Sequence, residues 1–176
     1  ELGRLMCPVI ILPGKHDCYD NNSIYGRVNF PETLNNVRVI SKSHGEVLEY
    51  PALDTVVWGS ALVDHTLNYR PLTGLPIDKE ARWQIGLGHG FFFNDGMTPE
   101  RSSPIFASDI RSSGLNYIAL GHCHVFSDVS QGDVAAFYSG APIALWGPQG
   151  RDGHVALVEF NGKRKADVIP TRILQP

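Results

Sequence analysis

The sequence predicts a single α/β domain, and three observations carry that expectation. Short apolar runs rich in β-branched residues recur along the chain, each stopped by glycine or proline, as buried strands are. Residues 103 to 113 place Ile105, Phe106 and Ile110 on one helical face, with Gly114 as a stop, and lead into the apolar run Tyr117-Ile118-Ala119-Leu120. No internal repeat, low-complexity tract or charge block divides the 176 residues.

Taken in order, residues 1 to 6 read as the last turn of a helix, and residues 7 to 12 as a buried strand. That strand feeds the turn Pro13-Gly14-Lys15-His16-Asp17, at a position where open α/β sheets present chemistry. Asn22 or Ser23 caps a short helix through Val28, Pro31 opens a second helical turn, and residues 37 to 40 form a strand. Residues 46 to 50 and 54 to 58 read as a strand pair closed by Gly59-Ser60. From 61 to 82, Pro71, Gly74 and Pro76 break any periodicity, so a long loop is expected. Residues 83 to 87 resume as a strand that runs into Gly88-His89-Gly90. Beyond the helix and the Tyr117 strand come two hairpins. The first pairs 125 to 129 with 134 to 138, and the second pairs 154 to 160 with 165 to 169 across Asn161-Gly162, which favours a type I′ turn.

Composition narrows the function classes. A hydrophobic content of 43% supports a packed core, and 15 basic against 18 acidic residues give a net charge of -3, without the basic footprint of a nucleic-acid or anionic-membrane binder. No apolar run approaches the roughly 20 residues of a membrane-spanning helix. Cys7, Cys18 and Cys123 are an odd number without framework spacing, which points to free thiols and a cytoplasmic location. The chain opens Glu1-Leu2-Gly3 without a methionine, as expected of a piece of a longer coding sequence. Phe91, Phe92 and Phe93 read as core packing ahead of a cleft floor, and Trp58, Trp83 and Trp146 as core or rim.

Four of the seven histidines, His16, His89, His122 and His124, follow an apolar strand and have a glycine close before them, whereas His44, His65 and His154 lack that context. Three separate strand ends of one kind predict convergence on one rim, the requirement for a multi-ligand site. A glycine beside an imidazole permits a sharp turn and close approach. Cys123 alternates away from His122 and His124 in an extended segment, which argues against its joining them as a ligand. Histidines serving only as hydrogen-bonded structural residues remain the bland alternative.

Gly14-Lys15-His16-Asp17, His89-Gly90 and Gly121-His122-Cys123-His124 occur in that order, each after a strand. The set resembles the calcineurin-like metallophosphoesterases, whose signature carries Gly-Asn-His-Asp, His-Gly and Gly-His-x-His in the same order and context. Tyr117-Ile118-Ala119-Leu120-Gly121-His122, Tyr138-Ser139-Gly140-Ala141-Pro142 and Val155-Ala156-Leu157-Val158-Glu159 are most similar to the DNA-repair exonuclease branch.

The resemblance implies a β-sandwich flanked by helices (αββα), here without its first strands, and hydrolysis of phosphomono- or phosphodiesters, with DNA or a nucleotide among the substrates. It implies two divalent ions (Mn, Fe or Zn): His89 and His122 on one, His124 on the other, with a bridging hydroxide as nucleophile. His16 would donate a proton to the leaving oxygen and Asp17 would orient His16.

The chain departs from the pattern twice. Lys15 stands where the family has a ligating asparagine, and a protonated lysine offers donors only. An ammonium there could instead clamp a phosphate oxygen. The family's Asp-x-His and Gly-Asp-x-x-Asp belong upstream of residue 7 and are not among the 176 residues, while Asp20, Asp64 and Asp95 read as solvated or capping loop residues. The expectation is therefore a metal-dependent phosphoesterase whose 176-residue chain alone binds metal weakly and hydrolyses little. The alternative is a non-enzymatic relative acting as a binding or regulatory module.

Overall fold

The computed structural model describes residues 2–28, 30–64, 66–77, 80–143, 153–162 and 166–173. The readings made of His65, Trp146 and Lys165 lie outside them. Twelve strands follow in chain order: β1 (Val9–Ile11), β2 (Val37–Val39), β3 (Glu46–Tyr50), β4 (Thr55–Gly59), β5 (Trp83–His89), β6 (Phe91–Phe93), β7 (Pro104–Phe106), β8 (Tyr117–Gly121), β9 (Phe126–Asp128), β10 (Ala135–Ser139), β11 (Gly153–Phe160) and β12 (Ala166–Ile173). Two α-helices interrupt them, α1 (Phe30–Thr33) and α2 (Ala107–Ser112), of 4 and 6 residues.

This corrects the expected fold class. The chain is built mainly of β-strands in small sheets, and it is neither an α/β domain nor a β-sandwich flanked by helices. The largest sheet has six strands in the order β3-β4-β5-β8-β10-β9. Its four inner strands run parallel, with β3 and β9 antiparallel at the edges. Parallel neighbours need crossover connections, usually helical. Here the β4–β5 crossover is the Pro- and Gly-interrupted loop expected from the sequence. The β5–β8 crossover spends its residues on β6, β7 and the six-residue α2.

The helix expected over 103 to 113 accordingly divides. Pro104 to Phe106 pair in parallel with Phe91 to Phe93, and α2 starts only at Ala107. Asp109 fixes that start by accepting the Phe106 amide at 2.8 Å, so the helical spacing of Ile105 and Ile110 reflects burial of both rather than one continuous helix. The helix expected through Val28 is a single 3₁₀ turn, Ile24–Gly26.

The two sheet faces separate by strand alternation. Val56, Trp58, Ile118, Leu120, Ala136 and Tyr138 share one face and are covered by Leu72, Ile77, Ile105, Ile110 and Leu115 in one buried cluster. On the other face the ring of Phe160 packs 4.9 Å from Trp83 and 6.3 Å from Tyr117, which seats the β11–β12 hairpin there. Trp58 and Trp83 are both core residues, 3% and 9% exposed. The hairpin register pairs Phe160 with Ala166, so the two strands are not joined by a two-residue type I′ turn at Asn161-Gly162.

β1 and β2 form a separate parallel pair. The Ile40 amide extends it by donating to Ile11 O at 2.9 Å, and fully buried Ile40 lies against Gly59 at the end of β4. That contact brings the end of β1 toward the ends of the central strands. No helix among the described residues is long and apolar enough to cross a membrane.

Candidate functional site

Three strand ends meet. β5 and β8 are parallel neighbours in a register that sets His89 opposite Gly121, and the Gly90 amide donates to Gly121 O at 3.3 Å. The turn after β1 closes over the same point, because the Lys15 amide donates to Nε2 of His89 at 3.1 Å. Glycine is required on both sides of that imidazole. A β-carbon on Gly14 would stand 2.5 Å from Cε1 of His89, and one on Gly121 would stand 2.8 Å from its Nδ1.

His122 follows at once, with its ring centroid 5.5 Å from that of His89 in an edge-on arrangement. Its backbone has φ of 106°, a left-handed conformation that a non-glycine residue adopts at a cost of about 1–3 kcal/mol, and such strain concentrates at functional sites. Burial lowers the His122 pKa, and the positive charges of Lys15 and Arg101, then His124 and His16, lower it further. Lys15 and His16 lie on the turn bonded to His89, His124 lies two residues beyond His122, and the Arg101 guanidinium sits over Phe91, whose ring meets His122. The structure therefore gathers His16, His89, His122 and His124 together with Lys15 and Arg101.

The supporting contacts come from Asp17, Tyr25 and Tyr138. Asp17 accepts the Gly14 amide at 2.9 Å through Oδ1 and the Tyr25 hydroxyl through Oδ2. Its two oxygens thus hold the turn that carries His16. Burial, then the hydrogen bond to Asp17 and its charge, push the Tyr25 phenol well above its ordinary pKa, so it stays a donor. Tyr138, only 1% exposed, donates to the Gly90 carbonyl at 2.8 Å and pins the His89-Gly90 corner to β10.

Phe91 stands 5.9 Å from the His122 ring, edge-on, whereas Phe93 is core at 6% exposure. The Phe run thus serves both readings. Cys123 is half-buried against the core cluster, and burial raises its thiol pKa. Asp95 accepts the Ser108 amide at 2.8 Å in the first turn of α2, and Asp20 accepts the Asn22 amide at 2.7 Å, as loop and capping carboxylates do.

The donor chemistry can be tested against a metal pair. His89, His122 and His124 are suitable nitrogen ligands, but among the described residues no group of three His, Cys, Asp or Glu side chains is arranged to hold a metal ion. Nε2 of His89 is occupied by the Lys15 amide, and two cationic side chains act on His122. Imidazoles beside an ammonium and a guanidinium do not fit two dications without carboxylates to offset the charge.

No family model matches the chain, and no curated protein matches it.

Proposed function

We propose that the protein is a phosphoesterase whose strand-end histidines form the nitrogen-ligand side of a metal-dependent centre. The 176-residue chain by itself, in this reading, binds metal weakly and hydrolyses little. The observation that carries the proposal is the meeting of three chain segments at His89, with Lys15, Gly14, Gly121 and His122 all packed on or bonded to one imidazole.

The chain's own residues have distinct tasks in this reading. Lys15 and the amide groups of its turn attract a phosphate oxygen, because its ammonium and the Arg101 guanidinium make the histidine cluster positive. His16, exposed on the same turn, is the group that gives a proton to the leaving oxygen in this reading, while Asp17 holds that turn through Gly14 and Tyr25. A metal pair needs carboxylates that the described residues do not bring to the cluster, so no step is assigned to metal. The three unpaired cysteines support a reducing compartment such as the cytoplasm.

The excess of positive charge favours a second reading, a module that binds phosphate esters without turning them over. Hydrolysis of bis(4-nitrophenyl) phosphate with added manganese separates the two. The proposal expects slow turnover by the wild-type chain that disappears in His89→Ala and His122→Ala. Equal rates in wild type and variants would leave only the binding module. Turnover at about 1 s⁻¹ or faster, the range of ordinary enzymes, would contradict the incomplete centre.

A further inference from the structure

Arg101 lies on the loop between β6 and β7, far in sequence from every histidine, yet it is held at their side. The Phe91 amide donates to Ser103 O at 3.1 Å, and the Ser103 amide donates to Thr66 O at 3.3 Å. Ser103 is buried to 3% exposure with φ of 57°, a left-handed turn stabilised only by its surroundings. A β-carbon on Gly90 would collide with the Ser103 carbonyl, so glycine at that position is what lets the loop come down on the His89-Gly90 corner.

Two residues before Ser103, the Arg101 guanidinium sits over the Phe91 ring at 5.3 Å from its centroid. The edge of that ring in turn meets His122. A planar cation stacked on an aromatic face keeps its N–H fork free for an anion, and the stacking limits the conformational freedom lost on binding. Its charge also reaches Cys123, where it opposes the effect of burial on the thiol.

We propose that Arg101 is a substrate-binding residue of this site, its fork taking two non-bridging oxygens of the phosphate. With Lys15 as the second cation, the site prefers a dianionic phosphomonoester to a monoanionic diester. The inference rests on the phosphate-site reading and deepens it to a substrate class. Two positive side chains stabilise two negative charges on the ligand better than one, and the bidentate geometry of Arg suits a phosphoryl group.

The test is calorimetric titration of inorganic phosphate and of dimethyl phosphate into the metal-free 176-residue chain, above neutral pH with a chelator present. Wild type is expected to bind phosphate more tightly than dimethyl phosphate. Arg101→Gln should weaken phosphate binding about tenfold or more, the scale of a lost charge-assisted hydrogen bond, and Arg101→Lys should recover part of it. Phe91→Leu, which removes the stacking ring, should fall between wild type and Arg101→Gln. Because Arg101 is exposed, its variants keep the fold, which unchanged thermal midpoints verify. Unchanged phosphate binding in Arg101→Gln would overturn the role of Arg101 and leave the phosphate-site reading intact. Equal binding of the two probes by wild type would overturn the preference for a dianion. No binding of either probe would overturn the inference together with the reading beneath it.

Discussion

The backbone amide of Lys15 donates to Nε2 of His89 at 3.1 Å, across 74 positions of sequence. This bond makes Nε2 an acceptor, so a neutral His89 carries its proton on Nδ1, on the side packed against Gly121. The turn after β1 and the end of β5 are thereby joined through one of the two ring nitrogens that could take a metal. A metal ion must displace a protein donor before it can reach Nε2.

Gly14→Ala tests that junction. The added methyl falls on the His89 ring, so the ring must move and the Lys15 bond is lost. The expected result is destabilisation of about 1–3 kcal/mol in urea unfolding, together with faster hydrogen exchange at the Lys15 amide. An unchanged exchange rate would mean that His89 does not hold that amide.

At position 122, two substitutions remove the imidazole and differ only in backbone tolerance. With φ of 106°, His122→Gly should be more stable than His122→Ala by about 1 kcal/mol, because only glycine accepts that conformation without strain. Equal stabilities in denaturant titration would show that the segment relaxes out of it.

Tyr138→Phe leaves the Gly90 carbonyl without its buried donor at almost constant volume. A loss of about 1–3 kcal/mol is expected, the cost of an unsatisfied buried acceptor. Thermal unfolding measures it, and a loss of a few tenths of a kcal/mol or less would mean that water reaches the carbonyl.

Alkaline pH should unfold the chain through its buried phenols. Burial pushes the Tyr117 pKa up to about 12 from the ordinary 10.0, and raises that of Tyr138 as well. The unfolded chain therefore releases these protons first. The stabilisation is complete below pH 10 and is lost as pH rises toward 12. Tyrosinate absorbance from these residues should appear together with loss of folded structure, and ionisation well ahead of unfolding would contradict their burial.

Much of the strand pattern was legible because local composition determines it. The run Thr55-Val56-Val57-Trp58 becomes β4, and the alternation around Tyr117 and Leu120 becomes β8. The placement of His89 and His122 was legible for the same reason, since His89 ends β5 and His122 directly follows β8. What local periodicity could not carry was pairing between distant segments. Phe91 meets Pro104 across the β6–β7 ladder, and that long-range partner converts the start of an expected helix into a strand. The α/β expectation failed there, because crossovers that would be helical in an open parallel sheet are here mostly loop and strand, with only the six-residue α2 as helix. Arg101 was invisible for a related reason: its place depends on Ser103 O reaching the glycine at position 90, which no spacing encodes.

The central claim is that the described residues collect imidazoles at one rim without the carboxylates a metal pair needs. Titration of manganese into the purified 176-residue chain by calorimetry tests it most directly. The account predicts no saturating site at micromolar metal, with only weak heats that diminish in His89→Ala. Two tight sites that disappear in His89→Ala and His122→Ala would contradict it.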